Sequence, residues 1–349
     1  MNFWKDVDRP IKVLSPMAGY TDSAFRVLCR EFGADVVITE LISADAIAYG
    51  KFEIQNLKSE TNSNSKIQKL NQTIVTGKNT STAEMLSFCE EERPLVVQLF
   101  GKYPAKFGIA AKWVTENLKP DGIDINMGCP ARKVVNSDHG AALLKNPDLA
   151  IEIVKAVKEN TDLPVSVKTR LGWDNDDQIL EFAPKLASAG IDALIVHGRT
   201  YKDGFKGKAR WENIYKVKAL LPNLTVVGNG DIDSIFSVMP VKADQENNEL
   251  DPRVRPEDDT IGLDGYAIGR ATFGKPWIFS KAEVSKDELK VIILRHAKLV
   301  YRTKGDYGMV EFRKHLLAYL KDFPGAKELR KKAVAIKTLD EVKGILELV

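Results

Sequence analysis

Ala193-Leu194-Ile195-Val196-His197-Gly198 is the stretch on which the fold turns. Its apolar residues run without a break, whereas a strand with one wet face would alternate. An unbroken short run is the mark of a parallel strand covered on both faces. Reading outward, helical period fills Ile179–Ala189 before it and Trp211–Leu220 after it. Beyond these lie two more runs, Val165–Arg170 and Thr225–Gly230. The alternation extends to Ile11–Ser15, Asp35–Glu40, Leu95–Phe100, Gly122–Asn126 and Asp264–Arg270, with helix patterns at Ala105–Leu118 and Pro147–Asn160. Eight such β-then-α units over about 280 residues predict an α/β protein of the (β/α)8 TIM-barrel class rather than an open doubly wound sheet. No Gly-x-Gly-x-x-Gly follows the first run, which weighs against a dinucleotide-binding Rossmann unit. Pro147 suits the first position of a helix, while Pro184 calls for a short 3₁₀ entry or a later helix start.

Two stretches interrupt the rhythm. Residues 51–80 are rich in Asn, Ser, Thr, Lys and Gln, and residues 241–260 include Asp244-Gln245-Glu246-Asn247-Asn248-Glu249. Both read as polar insertions in barrel loops. After about residue 280 the strand signals stop. Glu288–Tyr301, Met309–Lys321 and Ala326–Ala335 read as amphipathic helices, with Phe323-Pro324-Gly325 as a turn. The expected division is a barrel over 1–280 and a small all-α domain over 281–349.

Net charge is +3, but it is unevenly spread. Residues 281–349 carry 16 Lys/Arg against 10 Asp/Glu, which leaves the barrel mildly acidic. A basic module beside an acidic body suggests a polyanionic partner, nucleic acid first, although a solvated lysine-rich helix face has the same composition. Three scattered cysteines make neither a disulfide framework nor a zinc site, so no metal is expected. No apolar run approaches the roughly 20 residues that span a bilayer, and the first residues do not read as a signal peptide. A cytoplasmic setting without a membrane partner is the expectation.

In a barrel of this class, polar residues at the C-terminal ends of strands face the active site. Those ends carry Ser15-Pro16-Met17-Ala18, Glu40, Gln98, Asn126, Lys168 with Arg170, His197 with Arg199, Asn229-Gly230-Asp231 and Gly269-Arg270. So many reactive ends in order are hard to explain as packing. The last two strand ends suit a phosphate, with backbone N–H groups at the glycines and a bidentate Arg270. Two tight turns and a surface ion pair would leave the same letters. Cys129 stands in Asp124-Ile125-Asn126-Met127-Gly128-Cys129-Pro130. Gly128 is expected to allow an unusual backbone angle and Pro130 to stiffen the loop, presenting a thiol that can act as nucleophile or proton donor. Cys29 and Cys89 read as structural.

With these ends assembled, the chain resembles the tRNA dihydrouridine synthases, in the bacterial branch whose C-terminal helices carry Arg-Lys-His. The resemblance rests on Leu14-Ser15-Pro16-Met17-Ala18-Gly19-Tyr20-Thr21-Asp22, Gln98-Leu99-Phe100-Gly101, the Asn126-to-Pro130 piece, Val167-Lys168-Thr169-Arg170, Val196-His197-Gly198-Arg199-Thr200, Gly228-Asn229-Gly230-Asp231-Ile232, Ile268-Gly269-Arg270 and Arg313-Lys314-His315. It implies FMN as cofactor, NADPH as electron source and a uridine of tRNA as substrate. It further implies that Pro16, Met17 and Ala18 lie against the flavin ring. Gln98 and Lys168 would meet the ring's polar edge, and Asn229, Gly230, Asp231, Gly269 and Arg270 the phosphate, with His197 in the same pocket. Cys129 is implied to be the general acid. Asn126, Arg170 and Arg199, with Arg313, Lys314 and His315 of the helical domain, are implied to contact substrate. The rival readings are an FMN barrel acting on a free pyrimidine, a flavin-free phosphosugar barrel, and a tRNA-binding protein that has lost its chemistry.

Overall fold

The computed structural model describes residues 2–57, 71–233, 262–280 and 282–348. Twelve strands appear among them: β1 Ile11–Leu14, β2 Val36–Ile38, β3 Ile42–Ser43, β4 Phe52–Leu57, β5 Gln72–Gly77, β6 Phe88–Cys89, β7 Leu95–Phe100, β8 Gly122–Met127, β9 Val165–Arg170, β10 Ala193–His197, β11 Thr225–Asn229 and β12 Gly265–Ile268. All pairings in the larger sheet are parallel, in the order β2-β1-β12-β11-β10-β9-β8-β7-β3, and β2 also pairs with β7. That last pairing, Val37 opposite Leu95 and Ile38 opposite Val96, closes the sheet into an eight-stave TIM barrel. The second stave is interrupted after Ile38 and resumes as β3, which pairs with the far end of β7.

Closure explains the unbroken apolar runs. Alternate residues point inward and outward, and in a barrel both directions are dry. Ile11, Val13, Val36, Ile38, Val96, Ala193, Ile195, Val227 and Ala267 share one cluster with the fully buried Trp4. Their neighbours Leu14, Val37, Leu95, Leu194, Val196 and Val226 join a larger cluster beneath the helices.

The helices in chain order are α1 Phe3–Asp6, α2 Ser23–Glu31, α3 Ala44–Tyr49, α4 Thr80–Leu86, α5 Pro104–Trp113, α6 Arg132–Val135, α7 Pro147–Lys158, α8 Gln178–Ser188, α9 Glu212–Leu220, α10 Lys286–Tyr319, α11 Ala326–Ala333 and α12 Leu339–Leu346. Pro147 stands at the first turn of α7 as expected. Pro184 does not: α8 runs straight through it, so the proline lies inside the helix and one backbone bond of that helix is missing. The helix read over Ala105–Leu118 ends in a π-turn at Val114–Leu118, closed by left-handed Lys119.

The polar stretch after α3 is more than a loop. Its flanks form an antiparallel hairpin, Phe52 opposite Gly77 through Leu57 opposite Gln72, and β6 adds a third strand. The hairpin holds because β5 turns Thr73 and Val75 inward while its other residues stay wetter. Residues 58–70 of this insertion and the whole of 241–260 lie outside the described residues.

Beyond the barrel, the two helices read over Glu288–Tyr301 and Met309–Lys321 are both present, as the two arms of α10 on either side of Gly305, whose φ of 58° and ψ of −150° are not helical. The sequence reading missed α12, although Thr338 and Glu341 form a capping box that announces it. These helices pack into a second core around Ile293, Phe312, Leu316 and Leu320, to which α2 of the barrel contributes Ala24, Val27 and Leu28. Among the described residues no helix is long and apolar enough to cross a membrane.

Candidate active site

The strand ends converge. Pro16, Met17, Ala18, Asn126, Cys129, Lys168, Arg170, His197, Asn229, Gly230, Asp231, Gly269 and Arg270 all line one cavity of about 480 Å³ at the C-terminal mouth of the barrel. That volume is in the range that holds a cofactor-sized ligand.

Cys129 is half-buried and its loop is pinned from three sides. The Asn126 side-chain oxygen accepts from the backbone N–H of Cys129 at 2.9 Å and of Gly128 at 3.3 Å. Arg170 Nε donates to the Gly128 carbonyl at 2.8 Å, and Ala141 N donates to the Cys129 carbonyl at 3.1 Å. The expected unusual angle at Gly128 is absent, since its φ is not positive. Glycine is needed there for closeness instead: a Cβ would lie 3.2 Å from the Thr169 carbonyl carbon.

Lys168 is half-buried and donates to the Asn229 side-chain oxygen at 3.0 Å. Burial, and next the Arg170 charge, pull its ammonium down to about 8. Asn229 in turn donates to the Ala267 carbonyl at 2.6 Å and to Ser15 Oγ at 3.3 Å. Burial, reinforced by Lys168, Arg170, Arg199 and Arg270, holds the His197 imidazole far below its ordinary range, so it is neutral. Its Nδ1 is buried without a hydrogen-bond partner. A polar ligand atom in the cavity would relieve that cost of roughly 1–3 kcal/mol.

Just past β11, Gly230 has φ 124° and Asp231 φ 52°, so two successive residues leave the usual backbone regions. Such turns gather N–H groups into an anion-binding concavity. A single 3₁₀ turn, Arg270–Thr272, follows β12 where a longer helix would have supplied a dipole. The Asp231 carboxylate is itself occupied, accepting from Arg199 Nη2 at 2.9 and 2.6 Å and from Ala209 N at 2.7 Å. Any phosphate here would meet the Asp231 backbone, not its anion. Arg270 is half-exposed, 3.9 Å from Asp231, with its guanidinium 4.7 Å over the Phe205 ring.

Several expected residues lie elsewhere. Gln98 is fully buried below the cavity, between Asp124 and Asn126. Arg199 is 2% exposed and is committed to Asp231 and to the carbonyls of Lys206 and Gly207, so it braces the loop after β10. Arg170 lines the cavity, yet it also spends its fork on the carbonyls of Thr200 and Gly204 at 3.0 and 2.9 Å. The Arg313-Lys314-His315 trio splits because consecutive helix residues face different ways. Arg313 caps the Ile336 carbonyl, and His315, 1% exposed, packs with its ring tilted 34° against Phe25 of α2 at 4.8 Å. Only Lys314 faces open space. It lines a larger cavity of about 770 Å³ between the barrel rim and α10, together with Asp22, Glu40, Lys304 and Glu311. The two cavities share Ala18 and Leu41.

Phe205 was missed by sequence reading. It lines the cavity at the barrel mouth, is 55% exposed, and lies under both Arg270 and Arg170. A lone aromatic among Lys202-Asp203-Gly204 and Lys206-Gly207, just past a strand end, was the available signal. Cys29 and Cys89 are buried free thiols, and no metal-holding group of His, Cys, Asp or Glu occurs among the described residues.

This geometry has relatives. A probable tRNA-dihydrouridine synthase 1 of Synechocystis is 34% identical over 347 residues, 95% of this chain and 84% of its own. A tRNA-dihydrouridine synthase B of Pseudomonas aeruginosa is 36% identical over 331 residues, spanning 91% and 86%. One of Vibrio cholerae is 33% identical over 348 residues, spanning 96% and 94%. The family model described as dihydrouridine synthase (Dus) matches residues 13–74 and 70–348. Since those matches take in nearly every strand end that builds the cavity, the chain belongs to the dihydrouridine synthase family.

Proposed function

We propose that this protein reduces the C5–C6 double bond of a uridine in tRNA, with FMN as cofactor, NADPH as electron donor and Cys129 as general acid. The observation that carries the reading is the convergence of a positioned thiol, a half-buried lysine and two glycine-containing turns on one cavity at the barrel mouth. The names of the relatives supply the substrate.

The residues present suit a flavin mononucleotide. Pro16, Met17 and Ala18 offer an apolar wall and Lys168 a cation for an electron-rich ring, while the backbone at Gly230 and Asp231 with Arg270 offers phosphate donors. When bound, FMN supplies a hydride to C6 of the uracil. The remaining work falls to the protein. Addition at C6 leaves negative charge shared between C5 and the C4 oxygen, and the Cys129 Sγ–H delivers the proton that C5 needs. The resulting thiolate regains its proton from solvent. Asn126 and Arg170 hold the Cys129 loop, so the thiol meets the ring from a fixed direction. Reaching the thiol requires the base to leave its stack. The barrel through about residue 280 is the catalytic unit, and residues 281–349 dock the RNA, with Lys314 and the larger cavity facing it.

Two measurements test this. Purified protein should be yellow and carry flavin absorbance; a colourless, folded preparation removes FMN. Dihydrouridine should be mapped in tRNA from cells with the protein, without it, and with Cys129→Ala. Unchanged dihydrouridine at every position refutes the function.

A further inference from the structure

Beneath the catalytic cavity lies a buried carboxyl that the reaction does not use. Asp124 is fully buried in β8. It accepts from Ser166 Oγ at 2.6 Å and from Gln98 Nε2 at 2.8 Å. Gln98 Oε1 then accepts from Asn126 Nδ2 at 2.9 Å, and Asn126 Oδ1 accepts from the N–H of Cys129 at 2.9 Å. This chain has a polarity. A side-chain amide can sit either way round, and what faces it decides which. An acceptor at position 124 turns the Gln98 NH₂ toward itself and leaves the Gln98 oxygen for Asn126. That in turn directs the Asn126 NH₂ downward and its oxygen up to the Cys129 loop. Reversing either amide would set N–H against N–H under the thiol.

We propose that Asp124 is a positioning residue for Cys129, setting through Gln98 and Asn126 the one arrangement of side-chain amides that can hold the Cys129 loop. The inference deepens the proposed function, because it concerns how the acid of that reaction is held. Burial pushes the Asp124 carboxyl up to about 7, but the polarity survives protonation. A proton on the oxygen facing Ser166 leaves the other oxygen free to accept from Gln98. Asn at 124 can copy that form, its oxygen toward Gln98 and its NH₂ toward Ser166, whereas Leu cannot accept at all.

The test reads the thiol directly. Cys29 and Cys89 are 0% and 1% exposed, so in the folded protein iodoacetamide should alkylate Cys129 alone, with the buried pair reporting any loss of fold. Asp124→Leu should alkylate at Cys129 at least about five-fold faster, the factor that one hydrogen bond of loop stability represents, with Cys29 and Cys89 still protected. Asp124→Asn should stay within about two-fold of the wild type, a rescue that bulk or fold alone would not give. In tRNA reduction, Asp124→Leu should lower kcat with little change in KM. If Asp124→Leu exposes all three thiols, Gln98→Met, which cuts the same chain with a side chain of similar shape, decides by the same ratio. A wild-type alkylation rate in a folded Asp124→Leu or Gln98→Met protein overturns the proposal. If the wild type reduces no tRNA, the proposed function fails while the alkylation ratio still judges Asp124.

Discussion

Arg26 and Glu92 show what a single residue is asked to do in this molecule. Both are essentially out of solvent, with Arg26 Nε 2.5 Å from Glu92 Oε2. Glu92 also accepts from Ser23 and from Cys89 N, and Arg26 Nη1 donates to the Thr21 carbonyl at 2.6 Å. The pair fastens α2 to the 3₁₀ turn Glu90–Glu92 that follows β6, next to the larger cavity. Glu92→Gln leaves a buried guanidinium without its counter-charge, which should cost about 3–5 kcal/mol in urea unfolding; a loss under about 1 kcal/mol would mean that water reaches the site. At Cys129 the expectation is kinetic. Cys129→Ala should lower dihydrouridine formation by at least about 100-fold, the usual contribution of a general acid, while flavin absorbance is kept. The place of Cys129 on the cavity wall was legible because its neighbours are distinctive in sequence. The commitment of Arg199 to Asp231 was not, since the two are 32 positions apart and meet only across adjacent strand ends.

Among the elements, α10 carries the clearest test. Gly305, at φ 58° and ψ −150°, lies in a region that side chains with a Cβ avoid, yet nothing crowds its missing Cβ. Gly305→Ala should therefore act through backbone strain, lowering stability by about 1–3 kcal/mol without a steric clash. An unchanged thermal midpoint would show that the break can move to a neighbouring residue. Strand windows were readable from composition, and the Leu95–Phe100 and Val165–Arg170 windows coincide with β7 and β9. Helix boundaries were harder. Pro184 is a breaker by local rules, but Ile179, Phe182, Ala183 and Leu186 of α8 are all buried, and that packing outweighs one lost backbone bond. The hairpin of β4 and β5 was hidden because strands with polar outer faces look like loop.

For the molecule as a whole, acid response follows from where the histidines are placed. His296 lies in the core shared by α2 and α10, 5.4 Å from the Phe25 ring, with Nδ1 3.1 Å from Tyr319 Oη. Burial first, and Lys314 less, pull its imidazole down from 6.5 to about 4, while Asp22 opposes them. A histidine lowered on folding takes its proton more readily when unfolded. Its contribution is whole above pH 6.5 and is lost as pH falls toward the folded value near 4. His296→Phe should therefore flatten the fall in unfolding free energy between pH 6 and pH 4.5 by about 1.4 kcal/mol per pH unit. Parallel wild-type and variant slopes in urea titrations at several pH values would contradict the assignment.

The sequence alone determined the period of the chain, the ends of its strands and the residue types those ends carry, because each depends on residues close together in the chain. It could not show that β2 meets β7 to close the barrel, or that Gln98 sinks beneath the cavity while Lys168 stays at its wall. Nor could it divide Arg313, Lys314 and His315 between a cap, a groove and a core. Those outcomes were decided by tertiary structure, since closure of a sheet and burial of a polar group depend on partners that only folding brings within reach.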